Sequence, residues 1–263
     1  MAELLFWPAL LAYGEAAVAY LNDARHPGIA GRLATWGVRV GWLVQTALLA
    51  VQATRASGFP WSTWGGSLNL FVWLVVGAYL IWGCQPRYRL LGLAVLPLAV
   101  VLFIVARIGG GTGVGGRSHY SNLFLVLHVG LVLAAFAGFT LAAALSALYL
   151  WQERRLKRRE VSILRLRAPA LSRLDEVAAR TIAIALPALT LGIAVGIARL
   201  RDRGGGFDAL MAVTVVTWTV YAASLALRYL AGWRGRRAAY LVLAGFVLVA
   251  VVRLALPITH FPT

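Results

Sequence analysis

Eight stretches of almost unbroken apolar residues follow one another along this chain, at about 4–21, 33–53, 67–83, 88–106, 121–150, 178–199, 208–229 and 238–256. Each approaches or exceeds the roughly 20 residues that an α-helix needs to cross the hydrocarbon core of a bilayer. The runs are continuous rather than alternating with period two, so they predict helices and not the strands of a barrel. Between them lie short polar loops and one long basic segment, 151–177. The pattern predicts an all-α fold, a polytopic integral membrane helix bundle of about eight transmembrane helices, with 1–263 as a single transmembrane domain. The first stretch is the weakest, because Glu15 interrupts it. It reads as a retained helix, since Glu3 and Glu15 are out of place in a signal peptide.

Composition agrees with the pattern, at 61% hydrophobic residues. The net charge of +16 changes the picture in one respect. On a soluble protein it would suggest nucleic acid, but here it sorts the loops. Alternate loops carry sixteen and six Lys or Arg residues. The positive-inside rule puts the richer set in the cytoplasm, with both termini external. The basic segment 151–177 is then cytoplasmic, and it is expected to touch anionic lipid at that face. Within it, Val161–Ala178 has the look of an amphipathic stretch on the inner leaflet. The single cysteine, Cys84, excludes an internal disulfide and a Cys-Cys metal site.

A working residue in such a chain is a polar exception inside a helix or a residue of a short loop. His128 is the clearest exception, since an ionisable side chain at lipid level is costly and functional by default. His119 and His260 share its external side, and a neutral imidazole is the commonest protein metal ligand. His26 lies in a cytoplasmic loop and reads as solvated. Glu15 is expected to pair within the bundle, for instance with Arg39. Gln45 is expected to hydrogen-bond a neighbouring helix. Arg107 and Arg253 near the external side can snorkel to headgroups or hold a carboxylate. Trp61 and Trp64, three residues apart and beside glycines, could form an apolar shelf at the membrane surface. Gly109–Gly116 reads as a flexible loop and not a phosphate cradle, because no Gly-Lys-Ser/Thr follows it.

One arrangement is more specific. A long apolar helix holds the pair Leu127-His128, passes through small residues, and ends Leu148-Tyr149-Leu150 followed by Trp151-Gln-Glu-Arg-Arg-Leu-Lys157. Further on come Leu191-Gly192 with Gly196, Thr217-Trp218 through Tyr221, Gly232-Trp-Arg-Gly-Arg236 and the late His260. This order resembles the cytochrome c assembly proteins of the CcsA, CcmC and HemX type, in particular the short HemX-like branch. The resemblance implies a membrane protein that binds b-type haem non-covalently and presents it at the external face for cytochrome c maturation. Its partners would be haem, apocytochrome c or other assembly proteins, and its place the bacterial cytoplasmic (plasma) membrane. The resemblance further implies His128 and His260 as iron ligands, with His119 as the alternative second ligand. Trp61 and Trp64 would shelter the ring, and Arg107 or Arg117 would hold propionates. The second span, where HemX-type relatives often have a histidine, has none, and Gln45 is its nearest polar substitute. At most, the chain would be a component of a haem-attachment system. The alternative reading is a membrane regulator or scaffold of tetrapyrrole synthesis, acting through the basic cytoplasmic loop.

Overall fold

In the computed structural model the described residues are 2–25, 28–56, 59–61, 63–83, 88–113, 122–159, 169–203 and 209–255. Among them there are eight helices and no strand: α1 Ala2–Arg25, α2 Ile29–Arg55, α3 Trp64–Gly83, α4 Arg89–Ile108, α5 Asn122–Lys157, α6 Leu171–Arg203, α7 Ala209–Leu230 and α8 Arg236–Ala255. Seven are long and apolar enough to cross a membrane. This is a multi-pass helical membrane protein. The chain divides into two compact units, one holding α1–α4 and the other α5–α8.

In the first unit α1 packs on α2 and α4, and α3 on α4 and α2. Lipid tails are as apolar as the helices, so close packing and polar contacts hold such helices together. Gly41 of α2 is pressed against the Tyr13 ring, where an added Cβ would come within 2.7 Å. The turn into α2 is tied by Asp23, whose Oδ1 accepts the backbone N–H groups of Gly28 and Gly31, each at 3.1 Å. Trp42 and Trp73 stack at 5.1 Å, and the Trp73 indole N–H donates to Thr46 at 2.7 Å.

The second unit is built around a buried cluster that includes Phe139 of α5, Leu189 of α6, Tyr221 of α7 and Val242 of α8. Phe139 and Tyr221 stack face to face at 3.8 Å. Away from this core, Arg228 pairs with Asp175 at 2.7 Å. The other oxygen of Asp175 accepts the N–H of Gly235 at 2.9 Å, and so closes the turn between α7 and α8.

The helices outrun the apolar runs. The 36 residues of α5 make a rod of about 54 Å at 1.5 Å rise, well beyond a hydrocarbon core. Its charged end stays helical because Lys157 pairs with Glu153 one turn back at 2.8 Å. At the start of α6, Arg173 and Arg180 both pair with Glu176. The segment 151–177, read as a loop from its charge, is thus helical at both ends, and residues 160–168 lie outside the described residues.

Candidate functional site

His128 lies on α5 about two turns from its start and is half-buried. Its imidazole rests on α6 over two glycines spaced one helical turn apart. The Nδ1–H donates to the carbonyl of Gly192 at 2.8 Å. That carbonyl is inside a helix, and its second lone pair can be reached only if the neighbouring turn is bare. Gly196 provides this: a Cβ there would stand 2.8 Å from His128 Cε1 and 3.2 Å from Nδ1. On the other side the Phe124 ring, one turn back on α5, lies parallel to the imidazole at 5.5 Å.

The chemistry follows from that bond. A backbone carbonyl only accepts, so Nδ1 carries the proton and the lone pair sits on Nε2. Imidazoles that ligate metals are oriented in this way, with the second nitrogen bonded to a carbonyl or carboxylate. Among the described residues no three His, Cys, Asp or Glu side chains are grouped to cage a bare ion. An imidazole oriented in this way suits an iron that brings its other ligands with it, as in a porphyrin.

The first unit holds the other described candidates, and it uses them differently. Gln45 accepts from the Tyr13 hydroxyl at 2.7 Å. Its Nε2 donates to the carbonyl and side-chain oxygens of Asn69, at 3.1 and 2.9 Å. Asn69 in turn donates to Gly111 O at 3.1 Å, and Gln52 donates to the carbonyls of Gly111 and Gly113 at 2.9 and 2.7 Å. Gln45, Gln52 and Asn69 are each at most 1% exposed. The result is a closed ladder of amides joining α1, α2, α3 and the turn after α4.

Trp61 caps this ladder, its indole N–H donating to Gln52 Oε1 at 3.3 Å. The Trp64 ring covers Gly109, where a Cβ would stand 2.6 Å from it. The two indoles are thus engaged by different neighbours. Arg107 forms an ion pair with Glu3 at 3.0 Å. Glu15 is exposed on α1, and the Arg39 guanidinium lies over the Trp36 ring at 5.1 Å. His26, Cys84, Arg117, His119 and His260 lie outside the described residues, as does the side chain of Arg253.

The glycine run also departs from expectation. Gly109–Gly113 is a packed turn: Gly110 has φ +77°, and Gly65 meets Gly109 and Gly111 backbone to backbone. Sequence reasoning passed over Asn69 and Gln52, although Gln45 and Gln52 are seven residues apart and share a face of α2. It noted Gly192 and Gly196 without their use as a seat. The signal was there, as two small residues four apart in an apolar helix.

The family described as "Cytochrome C assembly protein" matches residues 61–259. The chain is 26% identical over 270 residues to the cytochrome c biogenesis protein CcsA of Gloeothece citriformis, covering 83% of this chain and 82% of that one. It is 25% identical over 316 residues to the protein of the same name from Picosynechococcus sp., covering 97% and 92%. It is also 30% identical over 189 residues to Protein HemX of Brevibacillus brevis, covering 70% and 69%. No solved structure matches.

Proposed function

We propose, from the premise that this chain belongs to the cytochrome c assembly protein family, that it is a haem-binding protein of cytochrome c biogenesis. It holds or delivers b-type, non-covalently bound haem at the external face of the bacterial plasma membrane. The observation that carries the reading is the seat of His128. Its Nδ1–H is fixed on a helix carbonyl, the way the second nitrogen of a metal-bound imidazole is held. When bound, haem supplies the iron and the vinyl groups to which apocytochrome cysteines become attached.

The chain's own residues bind and orient. His128 ligates through Nε2, Phe124 flanks its ring, and Gly196 keeps the seat open. His260 or His119 supplies a second ligand from the external side. Trp61, Trp64 and Arg107 belong to the first unit, where Trp61 caps the amide ladder, Trp64 covers Gly109 and Arg107 pairs with Glu3. Gln45 is assigned to the amide ladder rather than to haem, because both its oxygen and its nitrogen are engaged there.

The test is a cell whose c-type cytochromes depend on this protein. Haem-stained cytochrome c should fall at least tenfold with His128→Ala at unchanged membrane level of the protein, and full maturation with that variant would refute the reading. The second reading is a regulator or scaffold of tetrapyrrole synthesis. It draws support from the similarity to Protein HemX and from the basic segment 151–177. It predicts that neutralising that segment alters tetrapyrrole levels while His128→Ala does not.

A further inference from the structure

Outside the haem seat, the second unit carries a groove of about 500 Å³ between α5 and α8. Its walls change character along its length. One end is lined by Ala147, Leu150 and Leu243, and the other by Arg154, Arg155 and Arg158. Tyr240 and Trp151 stand where the two meet. Both helices run from charged to apolar residues in the same direction across it, so the groove crosses from headgroup to hydrocarbon level.

The charged end is arranged rather than merely basic. The guanidiniums of Arg154 and Arg236 both reach the Tyr240 hydroxyl, each at 3.5 Å, which brings two like charges to one oxygen. Arg155 lies over the Trp151 ring at 4.5 Å. Glu153, beside these arginines, is taken by Lys157 at 2.8 Å. Converging guanidiniums match the oxygens of a phosphodiester, and the apolar continuation matches an acyl chain. A free anion would use only the first half.

We propose that this groove is a binding site for one anionic phospholipid, with its phosphodiester held by Arg154, Arg158 and Arg236 and an acyl chain lying along Leu150 and Leu243. The site is distinct from generic attraction of a basic loop to a charged leaflet, which needs no groove. Tyr240 positions the two arginines, and Trp151 sits at the level where tryptophan anchors to headgroups.

The experiment is native mass spectrometry of the full chain in mild detergent, titrated with phosphatidylglycerol or phosphatidylcholine. Phosphatidylglycerol should bind as one tight copy, at least tenfold tighter than phosphatidylcholine. Arg154→Gln/Arg158→Gln should weaken it roughly tenfold or more. Both residues are exposed, so the variant should fold, and Tyr240→Phe should show a smaller loss in the same direction. Arg32→Gln/Arg173→Gln removes the same charge elsewhere and should leave binding unchanged. Equal binding of the two lipids would overturn the proposal, as would an equal loss in the charge-matched control. Displacement of phosphatidylglycerol by millimolar inorganic phosphate would also overturn it, by showing a free-anion site.

Discussion

The two helical units bury polar groups to opposite ends. In the first, four side chains and two glycine carbonyls form a ladder in which every amide is paired on both sides. In the second, an imidazole donates from Nδ1 to a helix carbonyl, over a glycine whose missing Cβ makes room for the ring. Both would be marked as functional by the rule that polar residues inside a membrane are expensive. The difference is in how the cost is met. A ladder of matched amides holds helices together, whereas an imidazole fixed at Nδ1 on a helix carbonyl has the orientation of a metal-bound ring.

That contrast predicts that changes in the first unit alter stability and spare haem, while changes at the His128 seat do the reverse. The largest loss of stability should come from Gly65→Ala, whose Cβ would run into the Gly109 backbone, where neither side can yield. A loss of about 3 kcal/mol is expected in reversible denaturation from detergent micelles. Asn69→Leu should cost about 2 kcal/mol, since it strips partners from Gln45 and Gly111 inside the unit. Haem bound per folded molecule should stay at the wild-type level in Asn69→Leu, and a parallel loss would erase the distinction between the units. Gly196→Ala should cost only about 1 kcal/mol, because the His128 ring can swing aside, yet it should lower haem occupancy severalfold. His128→Ala should be the mildest for stability, at about 0.5–1 kcal/mol, since one hydrogen bond is lost and Gly192 O keeps its helical partner.

The helices were legible because continuous apolar runs allow little else. Their ends were not. Glu153–Lys157 and Glu176–Arg180 extend α5 and α6 into charge that reads as loop. Gln45 announced itself as polar, but its partners belong to α1 and α3, and helix order in a bundle is a tertiary fact. Gly109–Gly113 looked flexible by composition, yet Gly109 and Gly111 each remove a clash, Gly111 directly against the Gly65 backbone, and Gly110 takes a positive φ. His128 stood out at once. What made it interpretable was the bare turn of α6 beneath it, two glycines that in sequence look like any small-residue pair.

The proposal is that His128, seated on the Gly192 carbonyl, grips the iron. It is tested most directly by the visible absorption spectrum of the purified, haem-reconstituted protein with and without His128→Ala. A Soret band should be present, be lost in the variant and return when free imidazole is added to fill the vacated seat. A variant that keeps the full band without added imidazole would contradict it.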